Sequence, residues 1–277
     1  MVLQVAFWVK GRESCGLQSR LKNFAICGLL YAAAVYCRPS WLYFVPFALV
    51  LDVFAENRLK THFKSAEYRQ KCVEYGTILL IFVLAMSPWW MRNEQITGRF
   101  VATSLQMGPS LYDGLNPNAD GSSQMDFVDR FREEERTDPS GDPRETYEWR
   151  VDQRMKREAV QWARQNPGRV IELAGIKFVR FWNFWPNEPS FSSFPVRLLI
   201  FVTYAPLLIG AIGGIWWTWR RGFVFWLCWI PAVYFTALHL IFVSSLRYRV
   251  PPMLLLVILA GLFFFRKHDR KQNENRS

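Results

Sequence analysis

The sequence predicts an all-α integral membrane protein. It should have about six complete transmembrane helices, a partial one at the start, and a large extracytoplasmic loop containing helices. Three observations carry this. First, 51% of the chain is hydrophobic and 17% aromatic, with 13 Trp and 23 Phe, which is too apolar for an ordinary globular surface. Second, the apolar residues gather into runs approaching the roughly 20 residues that a bilayer requires. Third, the connections at 10–22, 56–71, 219–222 and 266–277 hold 16 Lys+Arg, whereas the two short connections on the other side hold only Arg38, Arg247 and Arg249. That asymmetry puts the first set, including the basic tail, in the cytoplasm, and the 91–194 loop outside.

The elements follow in order. Residues 1–9 (MVLQVAFWV) are too few to span and read as the last turns of a helix whose beginning is absent. They lack a basic n-region and a small-residue cleavage site, so a cleavable signal peptide is not expected. A basic loop with Lys10, Arg12, Arg20 and Lys22 leads into a first span at 21–37, which stops at Arg38-Pro39. A second, short span covers 41–55 and carries Asp52. A loop with Arg58, Lys60, Lys64, Arg69 and Lys71 precedes the third span at 73–90. Asp52 and Glu74, near the cytoplasmic ends, are expected to face lipid headgroups. Residues 1–90 thus form one membrane segment and 91–194 the outer loop. The third segment, 195–277, supplies three more helices, at about 194–219, 223–243 and 250–265, and then the tail.

Within the outer loop, 116–142 is rich in Asn, Asp, Gly, Ser and Pro and reads as irregular. Residues 144–165 have helix-forming composition and stop at Asn166-Pro167-Gly168. Residues 169–182 place apolar and basic residues at helical spacing and end in aromatics, as a helix lying along the outer interface would. The same segment packed on the loop is the alternative.

Several functions are disfavoured. A net charge of +11 is a feature of nucleic-acid binders, but 91–194 holds 14 Lys+Arg against 16 Asp+Glu, so the excess is read as a topology signal. The five cysteines show no paired spacing, and His62, His239 and His268 are far apart, so neither a disulfide framework nor a metal site is expected. Asn116-Pro117-Asn118-Ala119-Asp120-Gly121 mimics the opening of a calcium loop, but Phe127 stands where the bidentate Glu is needed. Asn275-Arg276-Ser277 fits a glycosylation pattern but falls in the cytoplasmic tail. No cofactor motif is present.

The residues best suited to chemistry are the arginines at the outer mouths of the spans. Arg247, Tyr248 and Arg249 precede Pro251-Pro252, which discourages helix before them; in an extended backbone the two guanidiniums could converge on a phosphate. Arg38 and Arg92 end two other spans at the same depth. Each alone reads as an anchor, but together they make a cationic rim. His239, inside the fifth span, reads as a hydrogen-bonded packing residue.

An ordered set of short motifs resembles the carboxy-terminal half of the polyprenol-phosphate-sugar-dependent membrane glycosyltransferases. That superfamily, GT-C, includes protein O-mannosyltransferases and the lipid A aminoarabinose transferase. The motifs are Cys37-Arg38-Pro39-Ser40; Ser87-Pro88-Trp89-Trp90-Met91-Arg92-Asn93 with Gly98-Arg99-Phe100; Leu111-Tyr112-Asp113-Gly114-Leu115-Asn116-Pro117; Lys177-Phe178-Val179-Arg180-Phe181-Trp182; and His239-Leu240-Ile241-Phe242 leading to Arg247-Tyr248-Arg249-Val250-Pro251. The resemblance implies transfer of a sugar from a polyprenyl-phosphate donor to a lipid, glycan or protein acceptor on the extracytoplasmic side, with no cofactor. The implied setting is the bacterial inner membrane. Arg92, Arg247 and Arg249, with Tyr248 between the last two and Arg38 assisting, would hold the donor phosphate. The family's catalytic acid sits in its first outer loop, and no residue here matches it, so no catalytic residue is assigned. That departure favours a second reading, a non-catalytic multi-pass subunit that scaffolds envelope glycan assembly. A transporter ranks third, because no paired Gly/Pro-broken helices mark a pathway.

Overall fold

The structure, a computed structural model, describes residues 1–59, 65–137, 144–185 and 193–274. Asn275, Arg276 and Ser277, and with them the glycosylation pattern, lie outside the described residues, as do Lys60 and Lys64 of the second basic loop.

The described chain is helical throughout. It begins with α1 (Val2–Glu13), α2 (Leu17–Cys37), a 3-10 turn (Pro39–Trp41), α3 (Phe44–Leu59) and α4 (Ser65–Thr97). A group of four helices follows: α5 (Met107–Gly114), α6 (Val128–Thr137), α7 (Tyr147–Gln165) and α8 (Pro167–Trp182). The chain then returns through α9 (Phe194–Thr218), α10 (Phe223–Ile241) and α11 (Leu246–Glu274). Four segments are long and apolar enough to cross a membrane: Tyr68–Thr97, Phe194–Thr218, Phe223–Ile241 and Leu246–Phe265. The stretch Pro39–Phe54 is apolar but short. In α2 the first turns hold Gln18, Ser19, Arg20, Lys22 and Asn23, which keeps it from being uniformly apolar.

Residues 1–9 do form a helix, and its packing explains their composition. Gln4, Val5, Trp8 and Gly11 line one face of α1 and are buried. Trp8 is wholly covered, packing edge-on against Phe44 and Tyr75. Trp41 stacks on Phe44 at 3.8 Å and donates its indole N–H to Gln4 Oε1 at 2.7 Å. The core therefore runs from α1 through α2, α3 and α4 to α10. On the far side, α9 and α11 approach through Gly210 and Gly214. A Cβ at Gly214 would collide with the carbonyl oxygen of Leu259, so only glycine permits this spacing.

Three expectations are overturned. Asp52 and Glu74 do not face headgroups; both are buried. Arg12 bridges them, with Nη2 2.5 Å from Asp52 Oδ2 and Nε 2.7 Å from Glu74 Oε1. Lys71 adds a second cation 2.9 Å from Asp52 Oδ1, Tyr75 donates to Asp52 at 3.0 Å, and the Trp8 indole N–H donates to Glu74. Two acids and two bases thus neutralise one another, which alone makes their burial tolerable. Second, 116–142 is not wholly irregular: 128–137 is helix α6, because its Glu- and Arg-rich run has good helix propensity and Phe131 docks against Tyr112 at 4.9 Å. Third, Arg247–Arg249 are helical. Pro251 and Pro252 lie inside α11 rather than before it, and the helix begins at Leu246 regardless.

Candidate functional site

The arginines predicted to form one rim are sorted by the fold into three environments. Arg38 caps the end of α2 in extended backbone (φ −147°, ψ 94°), with its own N–H bonded to Ala34 O at 2.8 Å. Its Nε donates to Ser40 Oγ at 3.1 Å, and Tyr234 of α10 donates its hydroxyl to Ser40 O at 2.5 Å, so the turn after α2 is tied to α10. The Arg38 guanidinium thereby lies 5.1 Å over the Phe235 ring and 5.6 Å over the Tyr248 ring. Arg247 reaches the same ring from α11, 5.0 Å from its centroid, and donates Nη2 to the Tyr248 hydroxyl at 3.1 Å. Two guanidiniums therefore flank one phenol.

No carboxylate among the described residues forms an ion pair with Arg38, Arg92, Arg247 or Arg249, although Arg12, Arg99, Arg130, Arg150 and Arg154 all have one. Burial pushes the Arg38 guanidinium below its ordinary value, Tyr248 opposes that, and the neighbouring Arg247 charge adds to it. Arginine stays charged at any physiological pH, so the cost is borne as uncompensated positive charge that an anion would relieve.

Arg249 points elsewhere. Residues two apart on a helix project about 200° from each other, so Arg247 and Arg249 cannot converge once both are helical. Arg249 is buried, donates to the carbonyls of Phe181 (3.3 Å) and Asn183 (2.6 Å), and lies 3.7 Å over the Tyr204 ring. It thus caps the end of α8, where free carbonyls and the negative end of the helix dipole favour a cation. Arg92 is exposed, stacks 5.0 Å from Trp89 and bonds Asn93 at 3.2 Å. Its turn packs beside α2, where Tyr36 meets Trp89 at 5.7 Å. The surrounding motif has a local role: the Trp89 and Trp90 indoles and the Asn93 amide donate to the carbonyls of Thr103, Ala102 and Val101 at 2.8–3.0 Å. They pin the chain as it folds back over the end of α4.

Sequence reasoning missed Lys177, which sits behind the site. It is fully buried and donates Nζ to Gly114 O (2.8 Å), Ile241 O (2.6 Å) and Leu240 O (3.4 Å). It therefore caps α5 and α10 at once. A signal was available, since Leu173, Lys177 and Phe181 share one helical stripe and a lysine amid apolar residues needs internal partners. Gly114 permits the junction, because a Cβ there would lie 2.5 Å from Ile241 O. Beside it, Asp113 accepts from Ser123 Oγ (2.6 Å) and the Gln124 N–H (2.8 Å), which fixes the 114–124 turn. Burial raises the Asp113 carboxyl above its ordinary value, against these two bonds.

His239 was expected to be a hydrogen-bonded packing residue, and half of it is. Its Nδ1 lies 2.7 Å from Val243 O, and its ring stacks on Tyr248 at 4.4 Å. Among the described residues, no group of three or more His, Cys, Asp or Glu side chains is placed to hold a metal ion. No protein-family model, curated protein or solved structure matches this chain.

Proposed function

We propose that the protein is a multi-pass membrane protein that binds a polyprenyl phosphate at the Arg38–Tyr248–Arg247 cluster, and that it transfers the attached sugar to an extracytoplasmic acceptor. The observation that supports this reading is the pair of guanidiniums on one tyrosine with no paired carboxylate among the described residues. On the six-span threading expected from the sequence, with the Lys/Arg-rich connections in the cytoplasm, that pair would lie at the outer mouth of the bundle, where an isoprenoid tail could rest against the exposed apolar faces of α9 and α11. During transfer the bond between the anomeric carbon and the phosphate oxygen breaks, and the phosphate leaves with the electron pair. The acceptor hydroxyl oxygen bonds that carbon, and its proton passes to the departing phosphate. Arg38 and Arg247 stabilise the charge developing on the leaving phosphate. Arg249 acts at one remove, by holding the end of α8.

That no carboxylate among the described residues pairs with the cluster supports a second reading, in which the chain binds the lipid phosphate as a non-catalytic subunit of glycan assembly. One experiment serves both. Protein in lipid nanodiscs should retain undecaprenyl phosphate in native mass spectrometry. The Arg38→Ala/Arg247→Ala double variant should lose at least about tenfold in affinity, since each charged hydrogen bond contributes roughly 1.5–3 kcal/mol. Undiminished binding by the folded double variant would exclude the phosphate site. Binding without transfer of a labelled sugar from extracted donor lipid would select the subunit reading.

A further inference from the structure

Resting on that phosphate reading, we infer that the same site recognises a hydroxyl on the organic part of its phosphate ester, through the Nε2 lone pair of His239. The site therefore selects a phosphodiester carrying a sugar or polyol over a plain lipid phosphodiester.

The tautomer follows from the hydrogen bond. Val243 O can only accept, so His239 Nδ1, 2.7 Å away, carries the proton and Nε2 is left as an acceptor. His239 is only 6% exposed, and Nε2 is buried with no hydrogen-bond partner among the described residues. A buried acceptor left unpaired costs free energy, and such groups are normally satisfied. Its ring is flanked by Phe181 (5.6 Å), Phe235 (6.3 Å) and Tyr248 (4.4 Å), none of which donates to it. Phe235 and Tyr248 are the two rings that carry the Arg38 guanidinium, so imidazole and guanidinium share one aromatic wall. Ser244 Oγ, on the turn that follows His239, is another buried polar atom with no hydrogen-bond partner among the described residues.

The chemistries are complementary. A phosphodiester offers acceptors only, which suit Arg38 and Arg247 but leave Nε2 unmet. A hydroxyl on the esterified group supplies the missing donor. Because the site would then contain a polar atom built for that donor, a ligand lacking it should be discriminated against.

The test compares two diesters of equal charge and equal tail, farnesyl glucosyl phosphate and farnesyl methyl phosphate, for binding to the protein in nanodiscs. The wild type should bind the glucosyl ester about tenfold more tightly. His239→Asn, whose amide can still donate to Val243 O but has nothing at the Nε2 position, should lose that preference and keep its affinity for the methyl ester. His239→Gln, which returns an acceptor to that position, should restore part of the preference. Equal binding of both esters by the wild type, or a preference that survives in His239→Asn, would overturn the inference while leaving the phosphate reading intact. Failure of both esters to bind would overturn the two together.

Discussion

At the scale of single residues, the junction behind the site depends on Lys177. Burial pushes its ammonium down to about 8 from an ordinary 10.5, with Asp113 pulling partly the other way. A lysine whose folded value is depressed binds fewer protons folded than unfolded, so its charge weighs against folding below about pH 8. That penalty is relieved as pH rises from 8 toward 10.5. Thermal unfolding of the wild type should therefore show a rising contribution across that window, and Lys177→Met should flatten it. The same variant removes the donor from the carbonyls of Gly114, Leu240 and Ile241 and should lose about 1–3 kcal/mol at neutral pH. A variant with unchanged stability and unchanged pH slope would show that the three bonds contribute nothing. Arg249 makes the parallel point about role. It was legible as a cation at a helix mouth, but nothing in the sequence said that its partners would be the carbonyls of Phe181 and Asn183.

At the scale of elements, the buried quartet of Arg12, Asp52, Lys71 and Glu74 ties α1 to α3 and α4 at the end of the molecule opposite the arginine cluster. Removing one cation leaves a carboxylate buried without compensation, which costs about 3–5 kcal/mol. Arg12→Leu should therefore unfold at markedly lower temperature or lose α1 packing, seen as increased protease cleavage near residue 13. An unaltered melting curve and cleavage pattern would refute that role. The quartet was not legible because its members are scattered over sixty residues, and a lone Asp at a span end has the same local pattern whether it meets water or Arg12. Helix α6 escaped notice for a different reason. The Asn, Gly, Ser and Pro of 116–126 dominate the composition of the stretch, while the helical Glu/Arg run occupies only its second half.

At the scale of the whole molecule, the threading puts Cys15 at one end of the bundle and Asn118 at the other, both exposed. In sealed cells a membrane-impermeant maleimide should label an Asn118→Cys variant in a background lacking the native cysteines. It should label a variant that keeps Cys15 alone only after permeabilisation. Labelling of both from the same side would overturn the topology.

The sequence by itself determined the class: helices, apolar stretches of membrane length, and a polar insert between two groups of them. It could do so because these depend on local composition and on where charges stop a run. It also marked Arg38, Arg92, Arg247 and Arg249 as cations at the ends of those stretches. Only the tertiary structure decided which of them meet around one aromatic ring. The helical phase from Leu246 turns Arg247 toward Arg38 and Tyr248 while sending Arg249 to the end of α8, and the packing of α8 and α11 on α10 leaves His239 Nε2 without a donor. Such facing relations arise from contacts between segments two hundred residues apart, and no local pattern encodes them.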